Sequence, residues 1–319
     1  MSKNAKAYIT GICGFAGSWL AAELISRGYT VRGAALPGES DKLLNRIKSQ
    51  VNIDRFDITD ESACRRVFAR QKPEYLFHLA AIASVGQSFG IATQTFDINV
   101  NGTRNILEAI KGNKGLQRFL CVSSSDIYGR VKPDDLPLKP TQLPNPVSPY
   151  AKSKVAAEYL VGLYADQYGI PVSIVRPFNH TGPGQNDNFV IPSFCKKILA
   201  AGKPGGKKVM GVGNLDVYRD ISDVRDIVRG YRLIAEKGTP GEIYHLCSGK
   251  ARRIGDILNK LIEFSDIPIR IQKDRKLFRK TDIPVLRGSF HKTRTELGWK
   301  PEITIDHTLR DCLTFWRSQ

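Results

Sequence analysis

The chain has 319 residues, 41% hydrophobic and 25% charged, and its 48 Lys/Arg against 31 Asp/Glu give a formal net charge of +17. That length suits one large α/β domain or two lobes sharing a cleft. With no apolar run near the ~20 residues of a membrane span and no signal-peptide core, a cytoplasmic protein without a membrane partner is expected. Six scattered cysteines without a C-x-x-C pair, and five histidines without ligand spacing, predict reduced buried thiols, no disulfide framework and no metal site.

The first half alternates apolar strands with helical patterns. Residues 7–10 read as a strand and 14–27 as a helix, with Gly11, Gly14 and Gly17 between them as G-x-x-G-x-x-G. Glycines there permit a tight turn and let backbone N–H groups approach a pyrophosphate. A second strand, 30–36, ends in Ala34-Ala35-Leu36, neither an acid for a ribose 2′-hydroxyl nor an Arg for a 2′-phosphate. The choice between NAD and NADP therefore stays open, with Arg32 inside the strand.

A third strand, 51–57, ends at Phe56-Asp57-Ile58. Asp57 fits either an adenine contact or a helix N-cap, and the sequence does not separate the two. Helical patterns at 61–70 and 95–111 flank a fourth strand, 75–80, whose end, His78-Leu79-Ala80-Ala81, has small residues that let a cofactor lie against the backbone. A fifth strand, 118–123, runs into Ser123-Ser124-Ser125-Asp126. Repeated β-α-β units of this kind predict a doubly wound parallel sheet, a Rossmann fold, with ligands at the carboxyl ends of its strands.

Tyr150 and Lys154 then open a helix. Four apart, they share a face, so an ammonium beside a phenol is expected to lower the Tyr150 pKa and make it a usable general acid/base. Ser124, after the fifth strand, is placed to bond the same substrate oxygen, although serine runs also serve as turn caps. Beyond Pro177 the texture changes: 177–184, 202–206 and 211–214 read as loops, 223–235 and 254–264 as helices, and 242–247 as one more strand of the main sheet. The expected organisation is a dinucleotide-binding domain over 1–180, completed by about 214–248, and a smaller substrate-binding lobe mainly over 181–319. Residues 250–300 carry 14 Lys/Arg against 6 Asp/Glu. This fits a solvated basic surface or steering of a polyanionic substrate. No RNA-binding, helix-turn-helix or zinc-finger motif accompanies it, so no nucleic-acid partner is expected.

Gly11, Gly14, Gly17, Ser124, Tyr150 and Lys154, with Asp97-Ile98-Asn99-Val100-Asn101-Gly102-Thr103, resemble the extended short-chain dehydrogenase/reductases along essentially the whole chain. Arg176-Pro177-Phe178-Asn179-His180-Thr181-Gly182-Pro183-Gly184-Gln185 is similar to the run found in GDP-4-keto-6-deoxy-D-mannose reductases, the GDP-rhamnose-forming enzymes; GDP-mannose 4,6-dehydratases share its first five residues. The resemblance implies an NAD(P)(H) cofactor held by Gly11, Gly14, Phe15, Ala16, Gly17, Asp57, Ile58, Leu79, Ala80, Ala81, Asn99, Tyr150, Lys154 and Pro177. It also implies a GDP-sugar substrate contacted by Ser125, Asp126, Asn179, Arg219 and Arg279, the two arginines gripping the diphosphate.

The implied reaction is reduction of a C4 ketone, with Tyr150 as proton donor, Ser124 polarising the carbonyl and Lys154 holding the nicotinamide ribose. Dehydratases of this family carry a Glu where this chain has Asp126, so dehydration is the alternative. A scaffold or nucleic-acid-binding member of the fold is the non-enzyme alternative. A homodimer through the Tyr150 helix is implied too, with Ala156, Ala157, Leu160 and Leu163 as suitable apolar residues that also fit packing on the chain's own sheet.

Overall fold

Strands that are apolar on both faces must be covered on both sides, and the chain meets this with two helical layers. The computed structural model describes residues 4–206, 208–278 and 283–319. In chain order come β1 (Lys6–Thr10), α1 (Phe15–Ser26), β2 (Thr30–Ala35), β3 (Val51–Arg55), α2 (Glu61–Gln71) and β4 (Tyr75–His78). Next are α3 (Val85–Ser88), α4 (Ala92–Phe96), α5 (Gly102–Ile110), β5 (Arg118–Val122), α6 (Pro149–Tyr168) and β6 (Val172–Pro177). The remainder comprises β7 (Asn179–Thr181), α7 (Val190–Gly202), β8 (Val209–Val212), β9 (Tyr218–Asp223), α8 (Val224–Lys237) and β10 (Ile243–Leu246). Last come β11 (Ala251–Arg253), α9 (Ile254–Ser265), β12 (Arg270–Lys273), β13 (Val285–Leu286), α10 (His291–Leu297) and α11 (Ile305–Arg317).

Seven strands form one parallel sheet in the order β10-β6-β5-β4-β1-β2-β3. The order reverses between β1 and β4, which opens a crevice at their carboxyl ends. On one face α1 and α8 pack through Leu20, Leu24, Ile227 and Tyr231. On the other, α2, α5 and α6 bury Phe68, Ile106, Leu107 and Val161.

The second lobe has its own core, where Ile191, Phe194, Leu258, Leu261 and Leu309 join α7, α9 and α11. Asp220 on β9 fastens this lobe to the sheet. Fully buried, it accepts from the backbone N–H groups of Ser248 (2.6 Å), Gly249 (2.9 Å) and Gly288 (3.2 Å). Those bonds satisfy a charge whose desolvation would otherwise be expensive.

Three segments depart from the sequence reading. The stretch 211–214, expected as loop, begins inside β8, which pairs in parallel with β12, Gly211 opposite Gln272. The stretch 177–184 is not all loop: β7 pairs in parallel with β9, Asn179 opposite Ile221. The helix expected over 95–111 is interrupted by a wide π turn at Asp97–Asn101. There Asn99 accepts from Ile82 N (2.8 Å) and donates to Ile82 O (3.2 Å) and Ser153 Oγ (2.9 Å). Those bonds tie the widened turn to the loop after β4 and to α6.

Candidate active site

Gly11 leaves β1 with φ +73°, and a Cβ on Gly17 would stand 2.1 Å from the Gly11 carbonyl oxygen. Glycine is therefore demanded at both positions. The loop lies flat on the start of α1, whose first N–H groups have no side-chain cap, the arrangement that an anionic group at a helix N-terminus requires. From this loop a cavity of about 580 Å³ runs past Ala34, Phe56, Asp57 and Ala80 to Ser124, Tyr150 and Lys154. Space kept clear by glycine and alanine above an uncapped helix start fits a dinucleotide.

The walls are braced from behind. Thr10 Oγ1 accepts from Leu79 N and Ala80 N, both at 3.1 Å, and sits 2.8 Å from His78 Nδ1; His78 Nε2 is 2.9 Å from Thr103 Oγ1. Burial pushes the His78 pKa down to about 3, so the ring stays neutral in this bridge. The N-cap role open to Asp57 falls to another residue. Asp60 caps α2 by accepting from Ala63 N (3.0 Å), while Asp57 accepts from Thr59 N (2.8 Å) and lines the cavity.

At the other end β5 delivers Ser124, whose Oγ accepts from Asp126 N (3.1 Å) and lies 3.3 Å from Asp126 Oδ2. Ser148 caps α6 through Ala151 N (3.1 Å), with Pro149 in the first turn, so Tyr150 and Lys154 enter the cavity from one helix face. The expected lowering of the Tyr150 pKa is overturned. Burial raises it and the Asp126 carboxylate raises it further, while a hydrogen bond with Ser124 opposes them. Lys154 Nζ donates to the Val122 carbonyl at 2.8 Å, and burial lowers its own pKa. A phenol held protonated is a proton donor at neutral pH.

Of the residues expected at the site, Gly11, Gly14, Phe15, Ala16, Gly17, Asp57, Ile58, Leu79, Ala80, Ala81, Ser124, Ser125, Asp126, Tyr150, Lys154, Pro177 and Asn179 line the cavity together. Asn99 does not; its amide is spent on Ile82 and Ser153, which makes it a positioning residue behind the wall. Arg219 is not part of the wall either, its Nη1 donating to the carbonyls of Tyr218 (2.9 Å) and Ile283 (2.6 Å). Arg279 lies outside the described residues.

The sequence reading missed Glu39, His180, Gln185, Asn186, Asn188, Phe189 and Tyr231, all in the wall. The density of amides in 185–188 was a usable signal for the loop. His180 stacks on Phe15 of the glycine loop, ring centroids 6.1 Å apart and planes 12° apart, a contact between segments far apart in sequence.

A glycine-cradled crevice at one end of the cavity and a Ser, Tyr and Lys at the other define a nicotinamide-dependent oxidoreductase of the short-chain dehydrogenase/reductase type. Residues 8–312 match the GDP-mannose 4,6 dehydratase family, and the chain belongs to it. It is 33% identical to the GDP-6-deoxy-D-mannose reductase of Pseudomonas aeruginosa, over 98% of this chain and 97% of that one. It is 29% identical to a GDP-mannose 4,6-dehydratase of Vibrio cholerae, covering 94% and 90% of the two chains. The structure of RMD from Pseudomonas aeruginosa complexed with NADPH superposes with a TM-score of 0.86, at 33% identity and 99% coverage of both chains. The chain is thus an NAD(P)-dependent sugar-nucleotide oxidoreductase.

Proposed function

We propose that this enzyme reduces the C4 ketone of a GDP-4-keto-6-deoxyhexose to the GDP-6-deoxyhexose, with GDP-D-rhamnose as product. The observation that carries this reading is the convergence of Ser124, Tyr150 and Lys154 on one end of the dinucleotide crevice. A bound reduced nicotinamide supplies hydride to the C4 carbon. Ser124 Oγ orients the carbonyl, and Tyr150 donates its proton to the oxygen as negative charge develops there. Lys154, tied to Val122, fixes the ribose side of the cofactor. Asn179 and Ser125 contact the sugar, while Arg219 and Arg279 hold the diphosphate; Arg219 is anchored on Ile283, just after the segment that contains Arg279.

Dehydration of GDP-mannose is the second reading, favoured by the carboxylate of Asp126 in the same wall. Incubation with the keto sugar and reduced cofactor should consume both. GDP-mannose with oxidised cofactor should yield no 4-keto-6-deoxy sugar, and a clean yield would transfer the assignment to the dehydratase.

We also propose a cytoplasmic homodimer. The six buried free cysteines suit a reducing compartment, and no described helix is long and apolar enough to cross a membrane. Tyr159 (75% exposed) and Leu163 (48%) on α6, with Phe96 (38%) on the adjoining α4, leave an apolar face for a second copy. Ala157, by contrast, is buried within the subunit.

A further inference from the structure

At the end of the sheet opposite the catalytic cavity, the amino ends of β1 and β2 and the carboxyl end of α2 enclose a groove of about 350 Å³. Its wall includes Lys6, Tyr8, Thr30, Arg32, Arg70 and Pro73. The volume lies within the roughly 300–1,000 Å³ of small-molecule sites. We propose that this groove binds a phosphate monoester, at a site separate from the dinucleotide crevice.

The strand register builds the site. Lys6 stands opposite Thr30, and Tyr8 opposite Arg32. Alternate residues of a strand share a face, so these four side chains leave the sheet within a patch of about 5 by 7 Å. α2 covers that face: Phe68 packs on the Tyr8 ring, centroids 5.0 Å apart, and Arg70 follows in the groove wall.

Charge decides what the groove can hold. Among the described residues neither the Lys6 ammonium nor the Arg32 guanidinium has a hydrogen-bond or ionic partner. The acid behind the groove, Asp54, is already served by Tyr8 Oη (3.0 Å), Arg70 Nη2 (2.7 Å) and Gln71 Nε2 (2.9 Å). Arg70 and Asp54 therefore cancel, Glu74 is not in the wall, and two positive charges remain. The carboxyl end of α2 adds about half a negative charge, too little to offset them. Two unpaired cations side by side repel each other, and a dianion between them relieves that repulsion.

A phosphate monoester, with a charge of about −1.5 to −2 near neutrality, matches this pair. The Arg32 fork can grip two of its oxygens, while the Lys6 ammonium and the Thr30 hydroxyl serve the third. Tyr8 and Pro73 offer apolar surface to the organic part of the ester.

The test is isothermal titration of the full-length protein, loaded with one equivalent of NADPH to fill the glycine loop, with phenyl phosphate and with inorganic phosphate at low ionic strength. One equivalent of phenyl phosphate should bind. Lys6→Gln and Arg32→Gln should each weaken it by about tenfold or more, the loss expected for one charge-assisted partner. Lys260→Gln, which removes a cation paired with Asp306 in the second lobe (2.7 Å), should leave it unchanged. NADPH affinity, followed by nicotinamide fluorescence, should be the same in all three variants, which shows that they are folded. Inorganic phosphate binding as tightly as the ester, with the same losses in the two groove variants, would support the site and make the free ion its occupant. No uptake of either probe by wild type, or uptake that both groove variants retain in full, would overturn the inference.

Discussion

Arg176→Met should be among the most destabilising single changes available near the site. The guanidinium is 5% exposed and grips Glu158, 8% exposed, through two bonds of 3.0 and 2.7 Å. It also donates to Tyr128 Oη (2.8 Å) and to the Pro140 carbonyl (3.0 Å). Truncation leaves Glu158 buried without its partner, and breaking a buried pair in this way costs about 3–5 kcal/mol. For a chain of this size that corresponds to a fall in Tm of roughly 4–8 °C.

Replacing both partners, Glu158→Leu with Arg176→Met, removes the stranded charge and should recover most of the loss. About 1–2 kcal/mol should stay lost, because Tyr128 and Pro140 are no longer served. Tyr128 keeps His245 Nε2 at 2.6 Å, so its hydroxyl is not orphaned. Thermal unfolding followed by circular dichroism measures all three proteins. A single variant that loses less than about 1 kcal/mol, or a double variant no better than the single, would refute the reasoning. Tyr128 belongs to the segment that begins at Ser124, so the single variant should lose turnover as well.

Tyr150→Phe should cut ketone reduction by about 10²–10⁴-fold while dinucleotide affinity is kept; steady-state rates and nicotinamide fluorescence check the two halves. Asp126→Asn removes a group that raises the Tyr150 pKa. The phenol should then lose its proton at lower pH and the alkaline limb of the reduction profile should move down, whereas an unmoved limb would show that Tyr150 is not the titrating donor. Gly17→Ala places a methyl where no room exists beside the Gly11 carbonyl, and should abolish dinucleotide binding in the titration even if the fold survives. Leu163→Glu puts a charge on the exposed apolar face of α6 and should yield monomers by light scattering.

The sheet was legible because its central strands are apolar on both faces and the connections between them have helical period. Even β10, remote in sequence, stood out as a strand-like stretch from 242 to 247. What the sequence hid was settled by distant partners. β7 is three residues long and exists because β9 lies beside it; the π turn carries Asn99, whose partners Ile82 and Ser153 are remote in sequence.

The candidate site divides in the same way. Gly11, Gly17, Ser124, Tyr150 and Lys154 are local motifs and were readable. Glu39 sits past the end of β2, and only the turn returns it to the cavity. The Tyr150 pKa was expected to shift in the wrong direction because spacing reveals Lys154 as a helix neighbour but reveals neither burial nor the Val122 carbonyl that holds the ammonium.

The position of β10 also bears on how the protein is made. β10 pairs with β6 on the side away from β5, yet β7, α7, β8, β9 and α8 are synthesised between them. While the chain leaves the ribosome, β6, buried along its whole length in the finished protein, must wait with one side unpaired until residues 243–246 arrive. Unpaired apolar edges of this kind recruit other strands. A chain cut off near residue 180 would keep that edge permanently, and the nucleotide-binding half should therefore be far more prone to aggregate alone than its many paired strands suggest.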